Sequence, residues 1–368
     1  MAASWMTALA TLTGTALGAG AGLADTVIDT SAGPMQITAM ATGLDEPWAI
    51  GFLPDGGFLV TERDGRLIYI SDGAATPVAG VPKVFDEGQG GLLDVMIPRD
   101  FAASREVWVS YSAPRAGGAA TDVGSGRLSP DGTQLEGFTA HWTGGAMPGG
   151  RHFGSRIVEA QDGTVFFTTG DRGTGPAGQE AQDPRRAEGK VIHLNRDGSP
   201  ATARPGWLPG VYSLGHRNAQ GLALDGAGAL WLVEHGAKGG DELNKVAEGL
   251  NYGWPVISYG VDYNGKRIGE GQAKDGMEQP ATYWDPSIAP SGLAILSGRG
   301  IPAWKGDVFT GSLNSDYLSR LDADNGYAEE RITSPETGRV RDVEEAPDGS
   351  LWFLSVHNGA VYRLGPAG

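Results

Sequence analysis

A β-branched or aromatic run, a turn containing Asp and Gly, and a second apolar run recur six times along the chain. The units are "PWAIGFLPDGGFLVTERDGRLIYI" from Pro47, "GLLDVMIPRDFAASREVWVSYS" from Gly91 and "SRIVEAQDGTVFFTTGD" from Ser155, then "GLALDGAGALWLVEHG" from Gly221, "SGLAILSGRGIPAWKGDVFTGSL" from Ser291 and "VRDVEEAPDGSLWFLSVHNGAVYRL" from Val340. Each half has strand length and composition, and Asp-Gly is hairpin turn chemistry. Successive turns lie roughly 45 to 70 residues apart, a spacing that fits propeller blades with insertions rather than helical repeats. A lone four-stranded blade cannot bury both faces, so the blades must stack around an axis. The expectation is all-β: a six-bladed β-propeller of four-stranded antiparallel blades, one domain over residues 25–368. The stretch "MQITAMATGL" is expected to close the ring by completing the last blade.

Composition agrees with this reading and excludes several functions. The chain has 60 glycines and 22 prolines in 368 residues, which suits short strands and tight turns. With no cysteine, disulfides and thiolate metal sites are ruled out. A net charge of −16 repels nucleic acid and anionic lipid. Residues 1–24 are apolar, small and uncharged, as in a secretory signal with a cleavage site after Ala24. No later run is apolar enough to cross a bilayer, so the mature protein is expected to be periplasmic or secreted.

Loops of a propeller meet at one end of its channel, so a site should be spread over several repeats. Gln89 stands at the entry to the second repeat, His152 before the third, Arg217 and Asn218 before the fourth, and Arg339 and Arg341 at the sixth. Arginines gathered at one mouth of an acidic protein suit a small carboxylate ligand, because guanidinium binds carboxylate bidentately. An arginine beside Asp342 also fits a plain surface ion pair. In "EHGAKGGDELN" the glycines let carbonyls turn inward, and Asp241 and Glu242 offer hard oxygen ligands suited to calcium. The segment "GTGPAG" has dinucleotide-fingerprint spacing but does not open a helix, which argues against a nicotinamide enzyme.

Through "GQGGLLD", "GDRG", "GKVIHLNRDGS", "YSLGHRNAQGLA", "GGDELN", "NYGWP" and "RVRD", the sequence resembles the soluble quinoprotein sugar dehydrogenases, especially the bacterial aldose sugar dehydrogenases. These use pyrroloquinoline quinone (PQQ) and Ca2+. The resemblance implies a six-bladed propeller that oxidises an aldose at its anomeric carbon and passes electrons to an external acceptor. It implies His152 and Arg217 as catalytic residues, His152 being the base. Gln89, Arg217, Asn218, Arg339 and Arg341 become quinone contacts. Backbone carbonyls near Gly236 and Ala237 would hold the catalytic calcium, and Glu242 with the backbone of Tyr252 a second, structural one. Asn314 stands where many relatives have lysine, and Arg151 where the glucose-specialised relatives have an acid. A calcium-dependent propeller lactonase or esterase, and a binding propeller for carbohydrate or protein without chemistry, are the alternative readings.

Overall fold

The structure is a computed structural model that describes residues 25–368; the expected signal segment lies outside them. Five four-stranded antiparallel sheets and one five-stranded sheet make up the fold. Numbered along the chain, blade 1 spans residues 47–78, blade 2 residues 92–143, blade 3 residues 157–214, blade 4 residues 219–284 and blade 5 residues 290–332. Blade 6 is built from both ends of the chain. Its three C-terminal strands, Val340–Glu345, Leu351–Ser355 and Ala360–Pro366, are extended by Gly33–Thr42, which pairs from Met35↔Pro366 to Thr42↔Ala360. This is the closure expected of "MQITAMATGL". The strand Thr26–Thr30 then adds a fifth member at the rim, one more than the repeat pattern implied. Among the described residues no helix is long and apolar enough to cross a membrane.

The innermost strands of blades 1 to 6 contact one another in cyclic order, so the ring is closed. Alternation along single strands explains why. Leu59 packs toward blade 2 while its neighbours Phe58 and Val60 pack toward blade 6. Leu230 and Leu232 likewise face blade 3, and Trp231 and Val233 face blade 5. Every blade interface holds its own apolar cluster. Because both faces of such a strand are covered, it reads as an unbroken apolar run. Turn chemistry is local: Gly163 and Gly349 adopt φ of +85° and +81°, which glycine tolerates. Asp162 and Asp348 accept hydrogen bonds from the backbone N–H two residues on.

Candidate active site

One mouth of the channel opens into a cavity of about 740 Å³, within the usual size for a small-molecule site. Gln89, His152, Arg217, Asn218, Arg339 and Arg341 all line it, together with Gly236 and Ala237. Glu242 and Tyr252 do not reach it. They line a small adjoining cavity that shares Arg217 and Gly236 with the main one. Asn314 also lines the main cavity, whereas Arg151 does not.

His152 sits in the loop between blades 2 and 3, buried, with a left-handed φ of +51°. That conformation is uncommon for a residue with a Cβ. Its backbone N–H is held by the Gln89 side chain at 2.8 Å. Gly170 permits the close approach: a Cβ there would lie 2.1 Å from the His152 carbonyl oxygen. The ring Nδ1 lies 2.6 Å from Asp171 Oδ1, and Asp171 Oδ2 accepts from Trp254 Nε1 at 2.8 Å. Burial pushes the imidazole below its ordinary range, and the charge of Arg217 adds to this against the pull of Asp171. For Asp171 burial acts to raise the pKa, but the hydrogen bond from His152 and the nearby positive charges outweigh it and keep the carboxyl ionised. The pair is therefore a neutral imidazole against a carboxylate. The network assigns the proton to Nδ1, leaving Nε2 as a free base.

Asn218 Oδ1 accepts from the Gly154 N–H at 3.3 Å and from Gln220 Nε2 at 3.3 Å. Arg217 Nη1 donates to the His235 carbonyl at 3.2 Å, while its Nε has no partner. Arg339 donates to the Leu313 carbonyl at 2.9 Å, and Arg341 to Gln220 Oε1 at 2.8 Å. None of these three arginines forms an ion pair among the described residues, although most other arginines do. Arg341 is pushed down to about 9, first by burial and then by the charge of Arg339. Asp342, the neighbour that suggested a surface ion pair, is instead fully buried and bound to Arg156 at 2.7 Å. Three cations without counter-ions in so acidic a protein are what a polycarboxylate ligand would complete.

The residues expected to hold calcium lie where blade 4 turns from its second strand, Leu230–Glu234, to its third, Asp241–Val246. Gly236 is packed so closely that a Cβ would lie 2.2 Å from the Gly239 carbonyl oxygen and 2.4 Å from that of Gly240. Asp241 does not face the ligand cavity. It accepts from Gly236 N with one oxygen and from Ser287, Ile288 and Ala289 with the other, so it shapes the loop. Among the described residues no three His, Cys, Asp or Glu side chains converge to hold a metal, so a cation at this loop would rest on backbone carbonyls. Behind it, Glu242 is raised to about 8 by burial and by the neighbouring Glu234, while Asn244 Oδ1 has no partner. That small, acid-lined, oxygen-rich space suits a hard cation.

Sequence reasoning passed over Asp171, Trp254 and Gln220. Asp171 lay inside the quoted "GDRG" and Trp254 inside "NYGWP"; an acid directly after a blade's second strand was the available signal. Ser213, His216 and Glu234 line up at 2.9 Å each, in the order of a hydrolytic triad. All three are buried within blades 3 and 4 and outside the main cavity, so this geometry gives a hydrolase no accessible nucleophile.

Residues 44–363 match the family model "Glucose / Sorbosone dehydrogenase". The chain belongs to that family. It is 37% identical over 348 residues to aldose sugar dehydrogenase YliI of Escherichia coli (strain K12), covering 90% of this chain and 93% of the relative. The apo form of the soluble aldose sugar dehydrogenase from Escherichia coli superposes with a TM-score of 0.84 at 36% identity, over 90% of this chain and 100% of that one. The PQQ-bound aldose sugar dehydrogenase from Streptomyces coelicolor gives 0.75 at 27% identity, over 92% and 99%.

Proposed function

We propose that this family member is a PQQ-dependent aldose sugar dehydrogenase that converts the sugar to its lactone and passes electrons to an external acceptor. The observation that carries this reading is the set of unpaired guanidiniums of Arg217, Arg339 and Arg341 around one cavity with the free Nε2 of His152. Kinship with a PQQ-bound aldose sugar dehydrogenase supports it. Bound there, PQQ would take up the two electrons and the hydrogen of the sugar C1–H bond. A calcium ion on the carbonyls of Gly236 and Ala237 would act as a Lewis acid beside it. Glu242 and the Tyr252 carbonyl are assigned to a second, structural calcium.

The chain's own residues supply the rest. The three arginines bind the carboxylates, with Gln89 and Asn218 completing the cradle. His152 Nε2 accepts the C1 hydroxyl proton as the C1–H bond breaks and C1=O forms. Asp171 keeps the Nδ1 proton in place and stabilises the imidazolium, a role in which a base somewhat below its usual range works well near neutral pH. The leader-like residues 1–24 support export to the periplasm or beyond.

Purified apo-protein given PQQ and calcium should reduce an artificial dye with aldoses, and should do so only with both additions. His152→Ala should lower kcat by about 100- to 10,000-fold with little change in melting temperature. Lactone hydrolysis without quinone would instead support a hydrolase, and sugar binding without turnover a binding propeller.

A further inference from the structure

Trp254 belongs to the long loop between the third and fourth strands of blade 4, and the reaction as derived gives it no role. It is buried and lines the small acid-lined cavity. Its indole N–H donates to Asp171 Oδ2 at 2.8 Å, the oxygen that His152 does not use. The Arg217 guanidinium carbon lies 5.1 Å from the centre of its ring, within cation–π range. The indole also packs with Ala237 of the metal loop in one small apolar cluster with Ala181 and Ile268. Its backbone is fixed as well: its N–H donates to the Gly215 carbonyl at 2.9 Å, and its carbonyl accepts from Gln182 Nε2 at 2.8 Å.

Resting on the proposed function, we infer that Trp254 is a positioning residue: its N–H sets the basicity of His152 through Asp171, and its ring face holds Arg217 in register with that base. One side chain thereby ties the proton acceptor to the anion clamp. The physical reason is charge sharing. A buried carboxylate with a second donor on its far oxygen is a weaker partner for an imidazolium than one without it. Removing the indole N–H concentrates negative charge opposite His152 and raises its pKa. The other charged or titratable groups facing His152 are Arg217, Arg151 and His235, with Arg172 stacked on the adjacent Phe153; the substitution leaves all four in place.

The test uses Trp254→Phe, which keeps an aromatic face and loses the donor, and Trp254→Leu, which loses both. The His152 titration is followed by NMR in the apo-protein, assigned by comparison with His152→Ala, and PQQ affinity is measured by calorimetry. Trp254→Phe should raise the His152 pKa, move the acid limb of the kcat/KM profile upward in the same direction and leave PQQ affinity within about twofold. Trp254→Leu should also weaken PQQ binding by about 30-fold, the scale of one lost cation–π contact in a desolvated site. A Trp254→Phe protein that melts like wild type with an unmoved His152 titration overturns the inference. So does Trp254→Leu with wild-type PQQ affinity. The NMR arm needs no turnover, so failure of wild type to oxidise any aldose would sink the functional reading alone.

Discussion

Arg156 is buried and Arg341 half-buried, and both guanidiniums lie over the same indole, Trp48, at 4.5 and 5.5 Å from its centre. Their electrostatic surroundings are opposite. Arg156, in the middle of the channel, binds Asp94 of blade 2 at 2.9 Å and Asp342 of blade 6 at 2.7 Å, and donates to the Gln220 carbonyl of blade 4 at 3.0 Å. Those carboxylates reach further: Asp94 Oδ2 accepts from Ile157 N and Asp342 Oδ2 from Ile50 N of blade 1. The guanidinium is held charged, above its ordinary range, by the two carboxylates despite burial. Arg341, at the mouth, has a neutral amide as its hydrogen-bond partner and is driven down instead. A buried arginine with carboxylates is a structural fastener across blades. An arginine at the mouth without them is free to pair with a bound carboxylate, as the proposed function requires of Arg341.

The comparison breaks most visibly in folding stability. Arg156→Met leaves Asp94 and Asp342 facing each other without a cation, and removal of one partner from a buried ion cluster costs about 3–5 kcal/mol. Urea unfolding of the apo-protein should show a loss of that size, larger at pH 8 than at pH 5, where the stranded carboxyls can take up protons. Arg341→Met should do the reverse. Apo stability should hold or rise, because an uncompensated charge has gone, while PQQ affinity falls about 10- to 100-fold, as expected for one charge-assisted contact. Equal destabilisation by the two substitutions would remove the distinction drawn here.

A smaller effect sharpens the fastener side. Asp94 is raised to about 7 in the folded protein, mainly by burial and against the pull of Arg156. A carboxyl with a raised folded pKa contributes stability that is complete below its unfolded value, about 3.9, and is lost as pH rises through the folded value. The stability of wild type relative to Asp94→Asn should therefore fall between about pH 4 and pH 7. A flat difference curve across that window would place the proton elsewhere in the Asp94–Asp342–Glu344 group.

The ring was legible in the sequence because a strand buried on both faces leaves a long apolar run, and an Asp-Gly turn marks each hairpin. Closure by Gly33–Thr42 was legible for the same reason. The rim strand Thr26–Thr30 was not, since its alternating burial leaves few apolar positions. The mouth residues were legible because they stand just before, or at the start of, innermost strands, whose starts face the channel. Asp171 and Trp254 were not, because their meeting depends on two long loops 83 positions apart. The fastener was hidden differently: Asp94 and Asp342 stand inside innermost strands and Arg156 directly before one, and each triplet, "SRI", "LLD" and "VRD", looks like an ordinary strand end until the ring brings them together.

The last and smallest effect concerns the mouth. Asn314 lines the cavity beside Leu313, whose carbonyl Arg339 holds, at the position where the resemblance led us to expect a lysine. If the mouth is short of negative charge because it awaits an anion, a further cation should help the ligand and burden the empty protein. Asn314→Lys should tighten PQQ binding about two- to fivefold, since a partly exposed charge pair contributes about 0.2–1 kcal/mol. It should lower apo stability slightly through repulsion from Arg339 and Arg341. The gain should shrink as salt is raised, because this part of the mouth is open to solvent and screened. Tighter binding that persists undiminished at high salt would mean that the lysine acts by shape or hydrogen bonding, and that the cationic character of the mouth is not what selects its ligand.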